Sequence, residues 1–307
     1  MQYKNHIRAP AAGLPSHQDR LFLRNYTKRI HVGTTYLDGT VKNSGKYNQG
    51  IKLKKINHNT MNEQTLEKLK KMKFNGMHRA FKMTLESGKE ESFTADEMIA
   101  HVTDAEWDER QNRSVEQKIV NARFRYQASV EELIYSEERN LEKNQIMRLV
   151  DCSFVQKQTH ILITGSTGSG KSYIASAIGY QACRLGYRVL YQNTAKMFTK
   201  LKLAKADGSY LKELAKLERQ HLLILDDFGI QPMDAQSRAA LMEIIEDRHG
   251  KSSLIIISQV PVNKWYEIIG EQTIADAILD RIIHDAHRME LQGESLRKSK
   301  SIQKENY

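Results

Sequence analysis

Gly165-Ser166-Thr167-Gly168-Ser169-Gly170-Lys171-Ser172 is the stretch on which the reading of this sequence turns. It has the spacing G-x-x-x-x-G-K-[ST], and it stands between the apolar run His160–Thr164 and an amphipathic stretch, Lys171–Leu185. A strand before it and a helix after it are what a phosphate-cradling loop, a P-loop, requires. The glycines let backbone N–H groups converge on phosphate oxygens, and the helix N-terminus adds partial positive charge. Lys171 is placed to reach the β- and γ-phosphates of ATP, and Ser172 to hold Mg²⁺. All eight residues are expected to line the nucleotide site.

Working outward, Leu222-Leu-Ile-Leu225 runs into Asp226-Asp227, 55 residues after Lys171. A buried strand that delivers two carboxylates at its C-terminal end is the expected metal side of such a site. Asp226 would hold Mg²⁺ through water and Asp227 would polarise an attacking water. Adjacent carboxylates there repel one another unless a cation is present. Further strand-like runs lie at Val189–Gln192, His221–Asp226 and Ser253–Ser258, separated by helical patterns at Thr194–Lys205 and Asp234–His249. This α/β alternation predicts a parallel sheet between two helical layers, a three-layer αβα domain.

Ahead of it, residues 61–139 read as a small all-helical domain. Leu66, Leu69, Met72, Met77 and Phe81 are spaced as one apolar helix face. Thr94 with Glu97, and Ser129 with Glu132, have the spacing of capping boxes. Arg110, Arg113, Lys118, Arg123 and Arg125 are mixed with acids, as on a solvated helix face. Of the +10 net charge, +9 belongs to residues 1–60, where eleven Lys and Arg face only Asp19 and Asp38. That leader has no apolar periodicity and reads as disordered. A DNA-grasping arm, a transit-like segment and sequence upstream of a natural start at Met61 compete to explain it, and the last is favoured. Residues 140–300 would be the ATPase domain and 301–307 a tail.

No apolar run approaches the roughly 20 residues of a membrane span. Cys152 and Cys183 fall in helical patterns without metal-ligand spacing, which fits buried thiols in a reducing cytoplasm. His284 and His287 lack a third ligand. Between Thr194 and Lys216 six lysines face Asp207 and Glu213, a net +4. Lys196, Lys200 and Lys202 are candidate phosphate contacts for duplex DNA, flanked by Tyr191 and Tyr210, with a solvated helix face as the competing reading.

The P-loop, Asp226-Asp227-Phe228-Gly229, Ser258-Gln259 before Pro261 and Trp265, Leu279-Asp280-Arg281 and Gly293-Glu-Ser-Leu-Arg297 together resemble the IstB family. These are AAA+ helper ATPases of insertion-sequence transposition, related to the DnaC helicase loader, and the resemblance spans about residues 61–300. It implies an AAA+ fold, ATP hydrolysis and assembly into a homo-oligomer. The implied partners are duplex target DNA and a cognate transposase that the protein activates or directs. By the same likeness, Ser258 or Gln259 is the polar sensor, Arg281 a finger reaching a neighbouring subunit's γ-phosphate, and Arg297 the second sensor. Many AAA+ proteins carry Glu at the position of Asp227, so the rate of hydrolysis is left open. A DnaC-like helicase loader is the alternative reading. It would share the ATPase residues and differ in its amino-terminal partner surface.

Overall fold

The computed structural model describes residues 58–88, 92–293 and 295–296, so the leader before residue 58, Arg297 and the tail lie outside the described residues. The chain begins with α1 (His58–Lys71) and α2 (Asn75–Glu86), followed by the 28-residue α3 (Ala95–Ala122). Leu66 to Phe81 is therefore two helices, broken where Lys73 takes a φ of 61°. Gly76 lets α2 and α3 touch: a Cβ there would lie 2.3 Å from the Ala105 carbonyl oxygen. The Glu106 carboxylate then accepts from the Gly76 and Met77 N–H groups at 2.8 and 3.3 Å, serving the open N-terminus of α2 from the neighbouring helix. The Thr94–Glu97 capping box opens α3 as the sequence implies.

The second expected box does not form. Arg123, at φ 57°, ends α3, and residues 124–135 are not helical because Ala128, Val130 and Leu133 turn into the core. Ser129 pairs with Glu131, while Glu132 accepts from the Tyr173 hydroxyl at 2.6 Å. The packed body thus reaches back before residue 140.

It continues through α4 (Lys143–Val150), α5 (Ser153–Gln156), β1 (Ile161–Gly165), α6 (Lys171–Arg184), β2 (Val189–Asn193), α7 (Thr194–Ala206) and α8 (Tyr210–Glu218). Then come β3 (Leu222–Phe228), α9 (Ala235–Arg248), β4 (Ser253–Ser258), α10 (Trp265–Ile269), α11 (Gln272–Ile283) and β5 (His287–Leu291). Cys152 stands between α4 and α5 at φ 55°, not inside a helix. The strands form one parallel sheet in the order β2-β3-β4-β1-β5. Residues of β1 alternate between its faces: Ile161 and Ile163 join Ile174, Ile178 and Phe154, whereas Leu162 joins Leu241, Ile244 and Trp265. Both faces are covered, which is why the central strands are apolar throughout.

β5 escapes the sequence reading because only Met289 and Leu291 of its five residues are buried. It is an edge strand. Its outer carbonyls at Arg288 and Glu290 accept from the side-chain amides of Gln145 at 3.0 Å and Asn140 at 2.9 Å. At the other edge the last turns of α3 pack on β2.

Candidate nucleotide site

The P-loop joins the end of β1 to α6, with Gly170 in the left-handed region as the N-cap. Gly165, at φ 141°, passes so close to β5 that a Cβ would lie 2.2 Å from the Leu291 carbonyl oxygen. Lys171 Nζ donates to the Gly165 and Ser166 carbonyls, both at 2.7 Å. Burial pulls the Lys171 pKa down, and the charges of Asp226 and Asp227 oppose that shift. Gly293 and Leu296 lie against the loop: Leu296 N donates to the Gly168 carbonyl at 3.0 Å and Ser166 Oγ to the Gly293 carbonyl at 3.3 Å.

β3 brings the two acids to the loop. Asp226 is 1% exposed, and its Oδ1 accepts from Ser172 Oγ at 3.1 Å and from the Asp227 N–H at 2.9 Å. Its Oδ2 accepts from Arg125 Nη1 at 3.1 Å and from the Tyr191 hydroxyl. Burial, then the hydrogen bond to Asp226, pushes the Tyr191 phenol above its ordinary pKa. Asp227 sits at φ 59°, at the point where the β3–β4 register shifts between Leu225 and Phe228. A non-glycine residue held there is strained. Asn193 Nδ2 donates to Asp227 Oδ2 at 2.8 Å, while Asn193 Oδ1 caps α7 by accepting from Lys196 N.

Two residues here were missed from sequence. Arg125 is not part of a solvated helix face. It lies past the end of α3 and bridges Asp226 and Asp227 at 3.1 and 3.5 Å. Tyr191 does not flank a DNA surface but points inward from β2. The signal available was the adjacent acid pair, which demands a cation, and the neighbouring strand. A third unforeseen residue is Arg139, 8% exposed, whose Nη2 donates to the Ser169 carbonyl at 2.6 Å. Burial lowers its pKa, and its Nε and the Ser169 hydroxyl have no hydrogen-bond partner among the described residues.

Of the two sensor candidates, Ser258 is fully buried and occupied: its hydroxyl donates to the Phe228 carbonyl at 2.7 Å and accepts from Val260 N at 3.0 Å. Gln259 faces the loop instead, with its Oε1 accepting from Thr167 Oγ1 at 2.6 Å. Arg281, on α11, donates to the Ala277 carbonyl at 2.7 Å and lies 3.7 Å from Glu246. Its helix runs into the start of β5, where His287 pairs with Ile161 at the start of β1, the end of the sheet opposite the P-loop. Arg281 is thus remote from the P-loop of its own chain.

Lys200 pairs with Glu213 at 2.5 Å and Lys202 with Asp234, while Lys196 has no ion pair among the described residues. Lys205 lies over the ring of Tyr210, whose hydroxyl donates to Glu243 at 2.6 Å. No group of three or more His, Cys, Asp or Glu among the described residues could by itself hold a metal. The Ser172 hydroxyl beside the buried Asp226 carboxylate is, however, an all-oxygen donor pair. It fits Mg²⁺, which takes few protein ligands and fills its remaining positions with water and phosphate. No described helix is long and apolar enough to cross a membrane.

A phosphate-cradling loop on a five-stranded parallel sheet, facing two acids and a polar residue just past the next strand, defines an AAA+ P-loop nucleotide-binding domain. The family model described as IstB-like ATP binding protein matches residues 67–304, and the chain belongs to that family. An insertion sequence ATP-binding protein of Sinorhizobium fredii, y4pL, is 42% identical over 235 residues, covering 76% of this chain and 96% of the relative. A second from that organism, y4uH, is 36% identical over 234 residues, covering 76% and 94%. Among solved structures, the DnaC helicase loader shares 19% identity over 54% of this chain and 98% of its own, with a TM-score of 0.45.

Proposed function

We propose that this chain is an ATP-hydrolysing, DNA-binding oligomer that assists the transposition of an insertion sequence, by activating or directing a transposase on duplex target DNA. The observation that carries the ATPase reading is the convergence of Lys171, Ser172 and the Asp226–Asp227 pair from two strands. Lys171 would hold the β- and γ-phosphates. Ser172 would ligate Mg²⁺ and Asp226 would hold its water shell, and the metal would neutralise charge on the phosphates. Asp227 would orient and polarise the attacking water, the positioning and electrostatic work that phosphoryl transfer needs. Gln259, beside Thr167, is the better-placed sensor of the two candidates. Arg281 is assigned to the site of a neighbouring copy, since it lies at the opposite end of the sheet from its own loop. Arg297 remains the proposed second sensor. The names of the relatives support the transposition context.

Calorimetry of ATP binding and a phosphate-release assay, each with and without duplex DNA, test this reading. Lys171→Ala should lose tight ATP binding because it removes the loop's side-chain cation. Asp227→Asn should keep ATP bound and lose turnover, since an amide cannot accept a proton from water. Wild-type affinity in the first variant, or wild-type turnover in the second, would reassign the residue.

A further inference from the structure

Asp226 already accepts four hydrogen bonds, about as many as two carboxylate oxygens can take. The donors are Ser172 Oγ, the Asp227 N–H, Arg125 Nη1 and the Tyr191 hydroxyl. The same Arg125 nitrogen lies 3.5 Å from Asp227 Oδ2, so a single guanidinium serves both acids. Two adjacent carboxylates at the end of a buried strand need a cation between them, and here Arg125 is that cation. The four donors differ in freedom. The Asp227 N–H is backbone, Tyr191 is 6% exposed, and Ser172 is the residue placed to turn onto a metal. Arg125, with a side chain 43% exposed and placed just past the end of α3, is the one free to leave.

We propose that Arg125 stands in for the divalent cation: its guanidinium and a nucleotide-borne Mg²⁺ compete for the Asp226–Asp227 pair, so binding of the metal–nucleotide complex releases Arg125. The inference rests on the nucleotide reading above and adds a control to it. A guanidinium and a doubly charged ion on the same two carboxylates repel one another. While all four donors stay, Asp226 has no acceptor position left for a metal-bound water. Asn193 is already the one described hydrogen-bond donor on Asp227 Oδ2, and release removes the guanidinium 3.5 Å away, making room there for a water. Arg125 is thereby a positioning residue for Asp227. It follows α3 by three residues, and the earlier turns of that helix pack on α2, so the helical segment registers the exchange.

The test measures binding of a fluorescent, non-hydrolysable ATP analogue to the full chain, in EDTA and across a Mg²⁺ titration. The variants are Arg125→Ala, Arg125→Lys, Asp226→Asn and the Arg125→Ala/Asp226→Asn double. In EDTA the Arg125 variants should bind the analogue no more tightly than the parent, and circular dichroism matching the parent's reports an intact fold. Arg125→Ala should reach half-saturation at about 5- to 150-fold lower Mg²⁺, the usual range for coupled equilibria. Arg125→Lys should fall between, since a point charge cannot serve both acids as a planar fork does. In the Asp226→Asn background the Arg125→Ala shift should vanish. Amide exchange at residues 123–128 should rise when Mg²⁺ and the analogue are added to the parent. An unchanged Mg²⁺ requirement in Arg125→Ala would overturn the proposal. So would weaker binding of the analogue at saturating Mg²⁺, which would make Arg125 a nucleotide ligand. A parent that binds the analogue in neither buffer overturns the nucleotide reading itself, and the proposal with it.

Discussion

Much of the positive charge on α7 and α8 is tied up inside the protein, and this limits what DNA can use. Lys200 and Lys216 share Glu213 at 2.5 Å each, Lys202 is paired with Asp234, and Lys196 is unpaired among the described residues. Each lysine that neutralises a phosphate adds about 0.9 to the magnitude of the slope of log K against log salt. Three free contacts would give about 2.7, whereas one free contact gives about 0.9. Lys196→Ala should therefore flatten the slope by about 0.9, and the Lys196/Lys200/Lys202 triple Ala variant should flatten it little further. Glu213→Gln acts in the opposite sense. It removes the acid shared by Lys200 and Lys216 and should steepen the slope by up to about 1.8. Fluorescence anisotropy of a labelled duplex across a salt series reads all four proteins, and affinities for duplexes of different sequence should move together because phosphates carry no sequence. A flattening near 2.7 in the triple variant would refute the reasoning, because it would mean that both ion pairs open on DNA. An unchanged slope in Lys196→Ala would take α7 off the DNA surface.

His160 is buried with Nδ1 accepting from Leu254 N at 3.2 Å, and burial is the main cause holding its pKa down to about 4. The unfolded chain takes up this proton near pH 6.5, so the stability contribution is complete above that pH and is lost as pH falls toward 4. Denaturant unfolding at pH 7 and 4.5 should show a loss of roughly 2 to 3 kcal/mol from this group, absent in His160→Gln. Mixing Arg281→Ala subunits with Lys171→Ala subunits should restore hydrolysis at interfaces where an intact loop meets an intact arginine, since such fingers contribute about 10³ to 10⁵ in rate. No recovery in demonstrably mixed oligomers would return Arg281 to its contacts with Ala277 and Glu246.

What the sequence made legible was local. The P-loop is eight consecutive residues whose spacing carries its own geometry, and the strands that deliver it and the acid pair are apolar because both sheet faces are covered. Arg125 was illegible because Asp226 lies 101 residues away and because it follows a run of basic residues, Arg110, Arg113 and Lys118, on a helix. Tyr191 and Asn193 could have been found from register, since β2 pairs with β3 and sets Asn193 beside Asp226. The choice between Ser258 and Gln259 turned on one hydroxyl satisfying the Phe228 carbonyl across a bulge, and no spacing rule encodes that. β5 was hidden by its exposed charges, which suit an edge.

That edge limits how copies of the chain can meet. A strand approaching β5 would find the Arg288 and Glu290 carbonyls already occupied by the amides of Gln145 and Asn140, and one approaching β2 would meet the end of α3. Both features disfavour extension of the sheet from molecule to molecule. Copies of this chain that assemble would instead meet through side chains on helices and loops.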